Sequence, residues 1–177
     1  MVDASDERRV VLLAQSGDPV ALEALLIAVE PALSRYVARL VGPLAAPDVL
    51  QDVFVKIWRN LKWLRQPELF RPWAYRIATR ACYGHLKRAR QQAECVDPDA
   101  AIDQLSATPD ASAVLAEELD RLFEYVSPAS RAVLLLHYGE DQSIEETAAI
   151  LDINVGTAKS RLSYGLACLR GLLKQKG

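Results

Sequence analysis

Ser143-Ile144-Glu145-Glu146-Thr147-Ala148-Ala149-Ile150-Leu151, followed by Asp152-Ile153-Asn154 and then Val155-Gly156-Thr157-Ala158-Lys159-Ser160-Arg161-Leu162, decides the fold of the C-terminal half. Ser143 with Glu146 three residues on is a capping box, which satisfies two orphan amides at a helix start. Ala148 and Leu151 share one face of the short helix that follows. Asp152-Ile153-Asn154 is a tight turn, and Asp tolerates the left-handed conformation such a turn requires. A second helix begins at Val155 and is expected to run to about Leu173. Two short helices joined by a tight turn are the plan of a helix-turn-helix, whose second helix lies in the DNA major groove. Thr157 and Ser160 are small hydrogen-bonding groups, while Lys159 and Arg161 suit phosphates or guanine edges. Val155, Gly156, Thr157, Lys159, Ser160 and Arg161 are therefore the candidate DNA-binding residues here. Ala158 and Leu162 would face the first helix. The competing reading is an ordinary helical hairpin.

Upstream, the pattern stays helical and strand signals are nearly absent, so the chain is expected to be all-α. Asp18-Pro19 is a helix start, an Asp cap followed by Pro at the first position. Leu22, Leu25, Leu26 and Val29 mark its apolar face, and Leu33, Tyr36, Val37 and Leu40 continue it to Gly42-Pro43. A helix from Pro47-Asp48 has Leu50, Phe54, Ile57 and Leu61 at apolar spacing. Off that face lie Asp48, Gln51, Asp52 and Val55. Acids in a first turn complement the helix dipole; the functional reading is a protein-docking face. Trp63 to Leu69, with Pro67, reads as a loop. The helix from Phe70 to about Gln91 carries Arg76, Arg80, Tyr83, Lys87 and Arg90 on one stripe, beside an apolar stripe of Phe70, Trp73, Ile77 and Ala81. A cationic stripe with an interleaved aromatic suits DNA whose strands are separating, because bases stack on rings while phosphates meet Lys and Arg. Phe70 and Trp73 read as core, and Trp63 as the exposed ring.

Residues 1–92 are expected to form one small helical domain and 114–177 a second. Between them, 93–113 holds Asp97-Pro98-Asp99 and Thr108-Pro109-Asp110 and reads as an acidic linker. Leu115, Leu119, Leu122 and Phe123 open the second domain as an amphipathic helix, and Ser127-Pro128 starts the next, with Val133, Leu134 and Leu136. The formal charge of −2 conceals an alternation along the 177 residues. Pro31 to Gln92 has twelve Lys/Arg against three Asp/Glu, and Glu94 to Asp152 has two against fourteen. Ile153 to Gly177 has five basic residues and no acid. Two basic blocks around an acidic one point to polyanion contact, against the alternative of solvated surface. Cys82, Cys95 and Cys168 are odd in number and widely spaced, which argues against disulfides and zinc. No metal or cofactor site is expected. No apolar run nears the ~20 residues of a membrane span, and Met1 to Val11 lacks the order of a secretion signal, so a cytoplasmic protein without membrane insertion is expected. His85 and His137 are isolated, no paired carboxylates or Gly-rich phosphate loop stand out, and an enzyme is not expected.

Taken together these segments resemble the sigma-70 family, and its extracytoplasmic-function group in particular. Ser16-Gly17-Asp18, then Asp48-Val49-Leu50-Gln51-Asp52-Val53-Phe54 with Trp58, then Phe70-Arg71-Pro72-Trp73-Ala74-Tyr75-Arg76-Ile77-Ala78, look like the family's region two. Ser127-Pro128, Arg131, Val133-Leu134-Leu135-Leu136, Tyr138, Ser143 and Val155 to Leu162 look like region four. The ordered set covers about Leu12 to Leu173, with a gap too short for the extra domain of housekeeping members. The resemblance implies a transcription initiation factor that binds core RNA polymerase and selects promoters. Asp48, Gln51, Asp52 and Val55 would meet the beta-prime clamp helices, and the beta flap is a further implied contact on the polymerase. Trp63, Arg71, Arg76, Arg80, Tyr83, Lys87, Arg88 and Arg90 would open and read the minus-ten element of promoter DNA, and the helix from Val155 the minus-thirty-five element. An anti-sigma factor is a further implied partner.

The sequence also departs from the family pattern. Asp152 stands where Gly is common, Arg80 where Asn is common, and Ala158 in place of Val. Gly165 is expected to weaken its helix by ~1 kcal/mol relative to Ala. Two rivals remain at this point: a sigma-like regulator that does not initiate transcription, and a stand-alone helix-turn-helix regulator.

Overall fold

The structure, a computed structural model, describes residues 4–93, 122–123 and 125–176. Nearly all of the acidic linker, Cys95, and Leu115 and Leu119 of the expected amphipathic helix lie outside these residues. Among the described residues every regular element is helical.

The N-terminal unit has four helices: α1 (Ala4–Gln15), α2 (Pro19–Val41), α3 (Ala46–Asn60) and α4 (Phe70–Ala93). Local chemistry sets their ends. Gly17, at φ +96°, turns the chain after α1. Asp18 then caps α2, its side chain accepting from the amides of Val20 at 2.9 Å and Ala21 at 3.3 Å, with Pro19 at the first helical position. Gly42, at φ +89°, closes α2. Between α3 and α4 the chain makes two short 3-10 turns, Leu61–Trp63 and Pro67–Leu69, where the sequence reads as plain loop.

The core of this unit is made by Leu25, Leu33, Tyr36, Leu40, Ile57 and Phe70, all essentially inaccessible. The Tyr36 ring meets Tyr75 edge-on at 5.3 Å. Its hydroxyl lies 2.7 Å from Thr79 Oγ1, which itself donates to the Tyr75 carbonyl at 2.8 Å. That leaves Tyr36 as the donor of the first bond and satisfies both buried hydroxyls. Burial raises the Tyr36 pKa well above its ordinary value.

Two apolar faces differ from their sequence reading. On α3 the buried residues are Ala46, Val49, Val53 and Ile57, with Leu50 and Phe54 only half-buried at the flank. The helix lies against both α2 and α4, so its buried face is centred one position earlier than the spacing suggests. On α4 the innermost residues are Phe70, Ala74, Ala78, Ala81 and Cys82, while Trp73 and Ile77 are half-buried. The small residues let α4 approach its neighbours closely. The Cys82 thiol, buried, is pushed up to about 12.

In the C-terminal unit, Leu122, Phe123 and Val126 are buried. Ser127 then caps α5 (Pro128–Leu134), its Oγ accepting from the Ser130 amide at 3.3 Å. The helix continues as a π-helical turn, Leu135–Gly139. Next comes α6 (Ile144–Leu151) with the expected capping box formed in both directions: Glu146 N donates to Ser143 Oγ at 3.1 Å, and Ser143 N to Glu146 Oε2 at 2.8 Å. These bonds lower the Glu146 pKa. Asp152 takes the left-handed conformation, φ 57° and ψ 48°, and starts the turn into α7 (Val155–Lys176).

Gly165 corrects an expectation. It is buried on α7, and a Cβ built there would lie 2.7 Å from Leu134 Cδ1 and 3.2 Å from Cγ. Glycine is therefore what lets α7 close on α5, and its helix penalty is offset by packing. Leu134 is itself buried, so a shift of its side chain disturbs the core around it. Gly165→Ala is expected to lower stability by about 1 kcal/mol, because overpacking outweighs the gain in helix propensity. A shift of the urea midpoint to lower concentration checks the sign.

Candidate nucleic-acid interface

The Asp152 turn sets the start of α7. Ala158 is fully buried and Leu162 half-buried, as their spacing requires, and together they hold α7 on the rest of its unit. Gly156, Lys159 and Ser160 are left exposed, while Val155, Thr157 and Arg161 are half-buried. Ser160 Oγ donates to the Thr157 carbonyl at 3.0 Å, so its hydroxyl is held close to the helix axis.

On α4 the stripe divides into two parts. Lys87, Arg88 and Arg90 are exposed. Arg76 and Arg80 instead reach the C-terminal unit. Arg76 donates to the carbonyls of Ala149 and, at 3.3 Å, Ile150, at the end of α6. A guanidinium there supplies a further donor to carbonyls of the last turn, where Ala149 O has only a long 3.4 Å bond from the Asp152 amide, and complements the dipole. Arg80 pairs with Asp152 at 3.3 Å, and since both groups are solvated the pair contributes little. Tyr83 is half-buried, and burial raises its pKa while the charge of Arg161 on α7 lowers it. Arg76 and Arg80 thus engage the end of α6 and the Asp152 turn, Tyr83 feels the charge of Arg161 on α7, and the stripe is not the continuous open surface that its spacing suggests. A helical period assigns residues to a face, but not what covers that face.

Other bonds join the same two units. Tyr75 donates its hydroxyl to Glu140. Burial first, then this bond to a carboxylate, raises the Tyr75 pKa. The buried Arg131 donates to the carbonyls of Leu40 at 3.2 Å, Arg39 at 3.4 Å and Val126 at 3.1 Å. A cleft of about 440 Å³ lies between the units, lined by Leu64, Leu69, Trp73 and Arg76 on one side and Glu146 and Ile150 on the other.

Trp63 stands out from the first 3-10 turn at 71% exposure, with Lys62 Nζ 5.1 Å from its ring centroid. Arg71, at the start of α4, is half-buried and pairs with Glu7 of α1 at 2.8 Å. Asp48, Gln51, Asp52 and Val55 are all exposed on α3. Trp58, 60% exposed, extends their surface. The sequence gives it no site role of its own, although its place three after Val55 and seven after Gln51 carries the signal. Among the described residues no group of three metal-ligating side chains forms, and no helix is long and apolar enough to cross a membrane.

Comparison with known proteins supplies the family. Residues 25–92 match the family described as Sigma-70 region 2, and residues 116–169 match Sigma-70, region 4. The chain is similar to the ECF RNA polymerase sigma-E factor of Escherichia coli K12, at 31% identity over 162 residues covering 84% of each chain. In fold it is similar to CnrH, solved in complex with the cytosolic domain of CnrY, with a TM-score of 0.74 and 23% identity over 99% of this chain and all of that one. The sigma factor RpoE, in complex with the anti-sigma factor NepR from Bartonella quintana, gives the same TM-score and identity over 86% of this chain and 96% of its own.

Proposed function

Because the chain belongs to the extracytoplasmic-function group of the sigma-70 family, and is a transcription initiation factor directing RNA polymerase to promoters, we propose the following division of that work among its surfaces. The exposed face of α3, with Asp48, Gln51, Asp52, Val55 and Trp58, docks on the clamp helices of core polymerase. Trp63 and the basic residues of α4 engage the minus-ten element as it opens, the ring by stacking and the cations on phosphates. Val155, Gly156, Thr157, Lys159, Ser160 and Arg161, at the start of α7, read the minus-thirty-five element in duplex form. The chain itself performs no chemistry, and polymerase supplies the catalysis.

The observation that carries this reading is the start of α7. A capped helix, a left-handed Asp152 and a buried Ala158 leave Lys159 and Ser160 exposed on a rigid support. Arg76 and Arg80 are engaged with the C-terminal unit in this arrangement. Promoter binding therefore exchanges their carbonyl and carboxylate partners for phosphates, and the two units separate as it does so.

An anti-sigma factor is the further partner we propose. Its support is the likeness to RpoE, which is seen with one. The cytoplasm is the compartment where all these partners meet.

The test is run-off transcription from fragments of the source genome by purified core polymerase, with and without the protein. Discrete transcripts that appear only with the protein are the expected result. Stable binding to core without transcripts would favour a sigma-like regulator instead. Absence of core binding would leave a conventional DNA-binding regulator.

A further inference from the structure

Helix α1 lies outside the residues matched to region 2, which begin at 25. Its last residue, Gln15, is half-buried. The side-chain amide donates to two main-chain oxygens far away in sequence: the carbonyl of Leu61 at 2.9 Å and that of Leu64 at 2.7 Å. A carboxamide has two N–H groups, and here each has an acceptor. The two carbonyls stand at either end of the 3-10 turn that carries Lys62 and Trp63, and the turn closes on itself by a bond from Leu64 N to Leu61 O at 3.0 Å. The other end of the segment is also tied to α1, by Glu7 to Arg71 at 2.8 Å and Arg8 to Glu68 at 3.8 Å. The last pair is solvated on both sides and adds little. Trp63, exposed as it is, takes its direction from this backbone.

We propose that Gln15 is a positioning residue for promoter opening, fixing through the carbonyls of Leu61 and Leu64 the turn that presents Trp63 to unpaired bases. The proposal rests on the assignment of Trp63 to the minus-ten element. Gln15 touches no DNA. It removes a conformational search from the turn, so that the ring is in place when a base leaves the stack.

Gln15→Glu tests this with little change of shape. The carboxylate keeps the side chain's outline but loses both donors and turns an acceptor toward two carbonyl oxygens. Holoenzyme made with the full chain is assayed by permanganate reactivity of minus-ten thymines on duplex promoter, and by run-off transcription from the same promoter with that segment already unpaired. The expected result is a loss of about tenfold in opening on duplex DNA, core affinity within about twofold of the parent, and recovery on the unpaired template. Trp63→Ala should likewise lose opening on duplex DNA, and there the double variant should be no worse than the poorer single one, because both act through one contact.

A multiplicative loss in the double variant would overturn the proposal. So would a loss in core affinity that matches the loss of activity on both templates, since that describes a general structural defect. Parental opening by Gln15→Glu beside a defective Trp63→Ala removes the role of Gln15 alone. Parental opening by Trp63→Ala removes the assignment of the turn to the minus-ten element, and the role of Gln15 with it.

Discussion

Phe70→Ala is expected to destabilise the N-terminal unit by about 3–5 kcal/mol, the range for emptying a buried aromatic site. Phe70 is fully inaccessible and is the first residue of α4. Its ring lies 6.2 Å from that of Trp73, with the Pro67–Leu69 turn immediately before it. Phe70 belongs to the buried cluster of this unit, and emptying a site in such a cluster leaves a cavity. A domain of ordinary stability holds only ~5–15 kcal/mol in total, so a large share is at stake. Urea unfolding followed by circular dichroism measures it. A loss below about 1 kcal/mol would mean that the ring is not an anchor of this core. The functional consequence follows from position. Phe70 fixes the point where the Trp63 segment rejoins α4, so the variant should lose promoter opening even at temperatures where it remains folded.

Arg161→Ala should reduce minus-thirty-five-dependent transcription by ten- to a hundredfold, the equivalent of ~1–3 kcal/mol for a base-edge contact. The loss can arise in two ways. If Arg161 reads a base, the loss is confined to promoters carrying that base. If it meets phosphate alone, every promoter weakens alike and the salt dependence of binding becomes shallower by about one ion. Competition between promoters altered at single minus-thirty-five positions separates the two. An unchanged transcript yield on all of them would remove Arg161 from the interface. A second readout comes from the free protein. The Arg161 charge opposes the rise that burial imposes on Tyr83, so its removal should move that tyrosine's titration to higher pH. Absorbance at the phenolate band follows the change.

Much of the local architecture is legible in the sequence because its causes are local. The Asp18, Ser127 and Ser143 caps, the left-handed Asp152 and the breaks at Gly42 and Pro128 each depend on a few adjacent residues, and the structure places them where the sequence does. What is not legible depends on partners distant in the chain. The buried face of α3 is displaced by one residue because the helix has two neighbours rather than one. Gly165 reads as a weakness until Leu134, on another helix, is seen against it. Arg76 and Arg80 follow a clear basic period, but periodicity does not reveal that the C-terminal unit takes up their donors. Gln15, whose acceptors lie 46 and 49 residues away, carries no mark in the sequence at all.

The bonds that Arg76 and Arg131 make between the two halves end on main-chain oxygens, those of Ala149 and Ile150 and of Arg39 and Leu40. A carbonyl is present whatever side chain a codon specifies, so these bonds are indifferent to identity at the positions they grip. Exposed residues around the end of α6 and along the start of α7 can drift, and promoter preference with them, without altering how the halves fit together. After gene duplication, one copy is free to acquire a new target sequence while it inherits the old register between its domains intact.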